Sequence, residues 1–149
     1  MFRGTFTALV TPFRDGSIDV SAFEQLIEAQ IGAGISGIVA IGTTGESPTL
    51  SHQEREQVIR VAVAKANKRC LVLAGTGSNS TQYAIADTQL AEKLGVDAAL
   101  LVGPYYNKPS QEGLFRHFKA IASATSLPIM RSLKVSMTNR PPRVRFMKL

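Results

Sequence analysis

Two adjacent hydroxyls, Thr43 and Thr44, stand between Gly42 and Gly45 in the stretch GTTGES, and two adjacent phenols, Tyr105 and Tyr106, stand in GPYYNKPS. Hydroxyl donors in a glycine-flanked turn, where backbone approaches closely, suit a small carboxylate, and neighbouring phenols are able to pass a proton. Together they point to one small acidic or keto-acid substrate. Each has a plainer reading: Gly-Thr turns commonly follow strands in α/β proteins, and paired tyrosines ahead of Pro109 also pack loops or interfaces. GTG at residues 75–77 lacks the third glycine of a dinucleotide fingerprint, which argues against nucleotide binding. His52 opens a predicted helix and His117 lies in another beside Arg116 and Lys119, so both are expected on the surface. No set of His, Cys or acidic residues has metal-ligand spacing, and no metal is expected.

The elements that must position these groups recur along the chain. Short apolar runs begin near Phe6, Gly37, Cys70, Ala98 and Leu127, about 30 residues apart, with one helix expected in each interval. Capping boxes, in which hydroxyl and carboxylate satisfy the free amides of a first turn, are expected at Ser21 with Glu24 and at Ser51 with Glu54. Ser80 and Ser110 are simpler N-caps, and Gly34 and Gly95 sit where helices should stop. Apolar stripes at Phe23, Leu26, Ile27 and Ile31, and at Leu114, Phe118, Ile121 and Ala122, mark helix faces turned to a core. Runs apolar on both faces and separated by helices are parallel strands buried on both sides. An open doubly wound sheet or a (β/α)8 barrel satisfies this pattern; a full barrel needs about 250 residues, whereas this chain holds four βα units and the start of a fifth strand. In either case GTTGES, GTGSNS and GPYYNKPS follow successive strands and share one face with helix N-termini, whose free amides favour anions.

Charge and cysteine usage exclude several classes. The net charge of +6 is carried by Arg131, Lys134, Arg140, Arg143, Arg145 and Lys148, in a segment with no acid; residues 1–130 hold equal numbers of basic and acidic side chains. The basic balance therefore describes a tail and implies no nucleic-acid partner, since interleaved aromatics are missing and Phe146 alone does not supply them. One cysteine, Cys70, forms no internal disulfide and opens an apolar run, which suits a packed thiol. The first apolar run is too short for a signal peptide and nothing approaches the roughly 18 apolar residues of a membrane span, so no membrane and a cytoplasmic location are expected.

GTTGESPTLSHQER at residues 42–55 and GPYYNKPSQEGLFRHFKAIA at residues 103–122, together with TALVTPF and AGTGSNST, resemble the dihydrodipicolinate synthase family. These are pyruvate-dependent, aldolase-type lyases that open the lysine and diaminopimelate branch from L-aspartate 4-semialdehyde. Sialic acid lyase and keto-deoxy-sugar aldolases share the superfamily barrel, but the two motifs together look more like the synthase. The resemblance implies the N-terminal half of a (β/α)8 TIM barrel. In the family a lysine on the sixth strand forms a Schiff base with pyruvate and serves as the electron sink, so no dissociable cofactor is implied. Thr43 matches a proton-relay hydroxyl and Thr44 the residue that binds the pyruvate carboxylate. Tyr106 matches a relay tyrosine contributed by a neighbouring subunit, which implies a homo-oligomer, a dimer or tetramer in the family. Ser47, His52, Asn79 and Tyr105 match positions of a lysine-feedback site. There Tyr83 replaces an acidic residue that binds the lysine amine, so weak or absent feedback is expected.

The resemblance stops after LPIM. Where the family continues with a form such as LYNIPGR, this chain reads RSLKVSMTNRPPRVRFMKL, with no tyrosine, no helical period and two adjacent prolines. The expected organisation is a partial TIM-barrel domain over residues 1–130 and a basic, disordered, non-family tail over 131–149. Abrupt loss of pattern is what reading a gene out of frame produces. The expectation is therefore a truncated 4-hydroxy-tetrahydrodipicolinate synthase, inactive as this chain because the half with the Schiff-base lysine is absent; Lys134 and Lys148 follow no apolar strand and are not stand-ins. Alternatives are a non-catalytic remnant that binds a small carboxylate, or another pyruvate-dependent aldolase of the superfamily.

Overall fold

The computed structural model describes residues 2–132 and the backbone of the pair 145–146. Strands β1 (Phe6–Ala8), β4 (Gly37–Ala40), β5 (Leu71–Gly75), β6 (Ala98–Val102) and β7 (Ile129–Ser132) pair in parallel and in chain order. Helices α1 (Val20–Gly32), α2 (His52–Ala66), α3 (Thr81–Lys93) and α4 (Gln111–Ala122) fill the connections. This is four βα units and a fifth strand in a curled half-barrel, as the spacing of apolar runs anticipates. A short antiparallel hairpin, β2 (Phe13–Arg14) and β3 (Ser17–Ile18), sits between β1 and α1 and was not anticipated. Its signal is the Asp15-Gly16 pair, both with positive φ (51° and 76°), a two-residue turn that suits hairpin twist.

Helix boundaries follow from local chemistry. Ser51 and Glu54 form the expected box: the Ser51 hydroxyl accepts from the Glu54 amide and the Glu54 carboxylate accepts from the Ser51 amide at 2.7 Å. Ser80 and Ser110 cap α3 and α4. The box expected at Ser21 and Glu24 does not form. Asp19 caps α1 instead, accepting from the Ala22 amide at 2.9 Å, because the hairpin base, where the Asp19 amide donates to the Pro12 carbonyl, turns the chain two residues earlier. α1 and α3 end on Gly34 and Gly95 at φ 77° and 86°, left-handed positions that close each helix with reversed amide-to-carbonyl bonds.

The core lies in two layers. Outside the sheet, Phe23 and Ile27 of α1 and Val58, Ile59 and Ala62 of α2 pack on Ile38, Ala40, Val72 and Ala74. Ala84 of α3 and Phe118 and Ile121 of α4 pack on Leu101. On the inner face Val39, Leu73 and Ala98 are buried with Phe6, Leu71, Leu100 and Met130 against them. Cys70 is a buried free thiol, pushed up in pKa by that burial.

Arg131 and Ser132, the first residues of the expected tail, continue β7 in register with Leu101 and Val102. The Arg131 guanidinium lies 5.1 Å from the Phe118 ring centre while its buried Nε has no partner. The backbone of β8 (Arg145–Phe146) pairs antiparallel with Met130 and Arg131. The rest of the expected disordered tail, with Lys134 and Lys148, lies outside the described residues.

Candidate active site

The loops after β1, β4, β5 and β6 gather at the C-terminal ends of the strands, the face on which barrel enzymes place their chemistry. The GTTGES turn is tightly built there. The Gly45 amide donates to the Gly42 carbonyl at 3.0 Å, the Glu46 amide to the Thr43 carbonyl at 3.1 Å, and the Ser47 amide to the Gly42 carbonyl at 3.4 Å. Ile41 and Glu46 flank the turn in left-handed backbone, at φ 47° and 57°. Thr43 and Thr44 are exposed on this turn, free to meet a ligand from solvent.

Beside it, the loop after β5 is braced from below. The Thr76 and Thr88 hydroxyls lie 2.8 Å apart in the core, and Thr88 donates to the Ala84 carbonyl. The loop after β6 holds Tyr105 and Tyr106, 48% and 94% exposed, with Tyr106 at φ 68°. It is tied to the β5 loop by the Asn107 amide group, which donates to the Asn79 carbonyl at 3.0 Å. Thr43 and Tyr106 stand on separate loops of this face, and among the described residues no hydrogen bond joins them.

Four further positions sit in two groups. Asn79 and Tyr105 share the Asn107-linked loops. Ser47 and His52 flank the start of α2, where Arg55 donates to the Ser47 carbonyl at 2.9 Å and to the buried Asp87 carboxylate of α3 at 2.7 Å. His52 is exposed, as expected, 3.8 Å from Asp87. Glu54 is held below the usual carboxylate range by hydrogen bonds from the Ser51 hydroxyl and amide.

His117 is not on the surface. It is 95% buried between α3 and α4, its Nδ1 lying 2.8 Å from the Thr81 hydroxyl, its Nε2 without a partner, and burial pushes its pKa down. Its neighbours Arg116 and Lys119 are exposed, but it falls one residue before Phe118 on the arc that faces α3. Arg55 with Asp87 and Thr11 with Gly45 also escaped the sequence reading, because partners 32 and 34 residues apart leave no local pattern.

No group of three or more His, Cys, Asp or Glu among the described residues holds metal-binding geometry. A cavity of about 260 Å³, lined by Val63, Asn67, Cys70, Val72, Gly95 and Asp97, lies at the opposite ends of the strands and away from these loops. Among the described residues no helix is long and apolar enough to cross a membrane.

Comparison with known proteins agrees with this geometry. The model of the dihydrodipicolinate synthetase family matches residues 1–132. A 4-hydroxy-tetrahydrodipicolinate synthase of Chelativorans sp. (strain BNC1) is 60% identical over 144 residues, 96% of this chain and 47% of the relative. That match runs past residue 132, where the family model stops. The structure of the 4-hydroxy-tetrahydrodipicolinate synthase from Methylacidiphilum fumariolicum SolV superposes with a TM-score of 0.87 at 57% identity, covering 88% of this chain and 44% of that one. The chloride-inhibited dihydrodipicolinate synthase of Acinetobacter baumannii, solved complexed with pyruvate, superposes with a TM-score of 0.86 at 52% identity, covering 88% and 45%. The chain thus spans about half the length of the relatives it matches. With four βα units, a fifth parallel strand and the GTTGES turn at the strand ends, it belongs to the dihydrodipicolinate synthetase family.

Proposed function

We propose that this chain supplies the N-terminal half of a pyruvate-binding site, in the family whose full-length members carry the name 4-hydroxy-tetrahydrodipicolinate synthase. The whole activity in this reading is condensation of pyruvate with L-aspartate 4-semialdehyde in the lysine and diaminopimelate branch, in the cytoplasm. The observation that carries it is the strained GTTGES turn, which presents two exposed hydroxyls at the C-terminal face of a sheet that superposes on a pyruvate-complexed relative. Thr44 takes the carboxylate. Thr43 and Tyr106 are relay members, with Tyr106, 94% exposed, reaching into a neighbouring copy in a dimer or tetramer.

The condensation needs an amine that attacks the ketone carbon and holds the resulting carbanion as an enamine. Such an amine must be uncharged near neutral pH, which for a lysine requires burial or a cationic neighbour. Among the described residues no lysine is buried: Lys68, Lys93, Lys108 and Lys119 are exposed and Lys65 is half-buried. These residues therefore bind pyruvate without turning it over.

Residues up to Ser132 form the barrel portion, with Arg131 and Ser132 continuing β7, and the divergence beyond them comes from a change of reading frame. Sequencing across the codons for residues 129–133 tests this, since the other frame should restore a family-like strand end. Ser47, His52, Asn79 and Tyr105 border a regulatory pocket. With Tyr83 uncharged there, lysine inhibits weakly at most, and micromolar inhibition of a full-length relative bearing this tyrosine refutes that. For the site as a whole, the chain is treated with pyruvate and borohydride and weighed. Saturable pyruvate binding at Thr43 and Thr44 without a reduced adduct is expected, and either an adduct on the pure chain or absence of binding overturns the reading.

A further inference from the structure

We infer that Thr11 is a positioning residue that sets the conformation of the Thr43–Thr44 turn, an inference that rests on the reading of Thr44 as the carboxylate ligand. Thr11 is 96% buried, and its hydroxyl donates to the Gly45 carbonyl at 2.8 Å, across 34 residues of sequence. Its own backbone is fixed on both sides. The Leu9 amide donates to the Val39 carbonyl at 3.0 Å, and the Pro12 carbonyl accepts from the Asp19 amide at 2.8 Å.

The turn needs such an anchor. Ile41 at φ 47° and Glu46 at φ 57° hold left-handed backbone, a conformation costing about 1–3 kcal/mol per non-glycine residue and worst for a β-branched one. It persists only where the surroundings over-determine it. The amide-to-carbonyl bonds inside the turn close it on itself but do not attach it to the barrel. The Thr11 hydroxyl makes an attachment at the Gly45 carbonyl, one residue after Thr44, while Arg55 ties the far end of the turn to α2 at the Ser47 carbonyl. Gly45 is also seated close: a Cβ there would lie 3.1 Å from the Leu9 carbonyl oxygen, so the turn rests against the end of β1. With the hydroxyl gone, the Gly45 carbonyl loses its buried donor and the strained residues relax, turning the two threonines away from a common ligand.

The test uses the whole labelled chain with Thr11→Val, of similar size but without a donor, and Thr11→Ser, which keeps one. In Thr11→Val, amide exchange at Glu46 and Ser47 should accelerate about tenfold while Val39 and Leu73 keep wild-type protection, and pyruvate affinity read at the Thr43 and Thr44 amides should fall about tenfold. Thr11→Ser should stay within about twofold of wild type in both. Unchanged exchange at Glu46 and Ser47, or equal acceleration at Val39 and Leu73, overturns the inference. Should wild type bind no pyruvate, the site reading fails, and the exchange arm still decides the role of Thr11. If Thr11→Val does not fold, Thr11→Ala, which also lacks the donor, replaces it; wild-type exchange at Glu46 and Ser47 in that variant refutes the claim.

Discussion

Replacing Asp87 by alanine removes the carboxylate that holds Arg55, and the cost follows from how little water reaches the pair. Their side chains are 11% and 20% exposed, and the closest N···O distance is 2.7 Å. Arg55 also donates to the Ser47 carbonyl at 2.9 Å, and its Nε is buried without a partner. Removing one member of a buried pair leaves the other charge desolvated and uncompensated, at about 3–5 kcal/mol; the residual exposure of Arg55 places the expectation near the lower end, about 3 kcal/mol. The pair of Arg60 and Glu56 is an internal control, because its side chains are 63% and 38% exposed. Surface i,i+4 pairs contribute about 0.3–0.5 kcal/mol. Urea unfolding of Asp87→Ala and Glu56→Ala under identical conditions separates the two regimes. For a chain of this size, about 3 kcal/mol lowers the Tm by roughly 10 °C. Arg55→Met combined with Asp87→Leu, which replaces both charges by apolar groups, should recover most of the loss. An Asp87→Ala variant no less stable than Glu56→Ala refutes the reasoning.

Three further outcomes are expected. His117 is buried in its neutral form with a pKa below the usual 6.5, so the unfolded chain takes up its proton first as pH falls. Its stabilising contribution is complete above about 6.5 and is lost as pH drops from there through the folded value. Urea midpoints should fall between pH 7.5 and 5, and His117→Gln should flatten that slope; an identical slope in the variant refutes the assignment. Arg131→Leu removes a buried, unpartnered Nε from the contact with Phe118 and should stabilise the chain by about 1–2 kcal/mol in urea, whereas destabilisation shows the cation–π contact to be dominant. Ser51→Ala breaks the capping box of α2 and should cost about 1 kcal/mol, with α2 amides exchanging faster at its first turn; no change in those amides counts against it.

Much of the fold was legible because it is written in local terms. Apolar runs about 30 residues apart, serine caps at residues 51, 80 and 110, and glycines at helix ends each act within a few residues of their own position. The strand starts at Phe6, Gly37 and Ala98 fell where the pattern put them. Two readings failed where a neighbouring element intervened. The hairpin at Asp15-Gly16 shifted the first helix cap from Ser21 to Asp19. His117 looked solvated beside Arg116 and Lys119, but the helix turns it one step away from them towards Thr81 of α3.

At the candidate site the division is the same. Residue types and motif spacing marked Thr43, Thr44 and Tyr106, because a glycine-flanked pair of hydroxyls carries its chemistry in the local sequence. Only the assembled sheet brought Thr11 beneath Gly45 and Arg55 against Asp87. Those contacts are made across 34 and 32 residues, and their energy exists only once water has been excluded from between the elements that carry them.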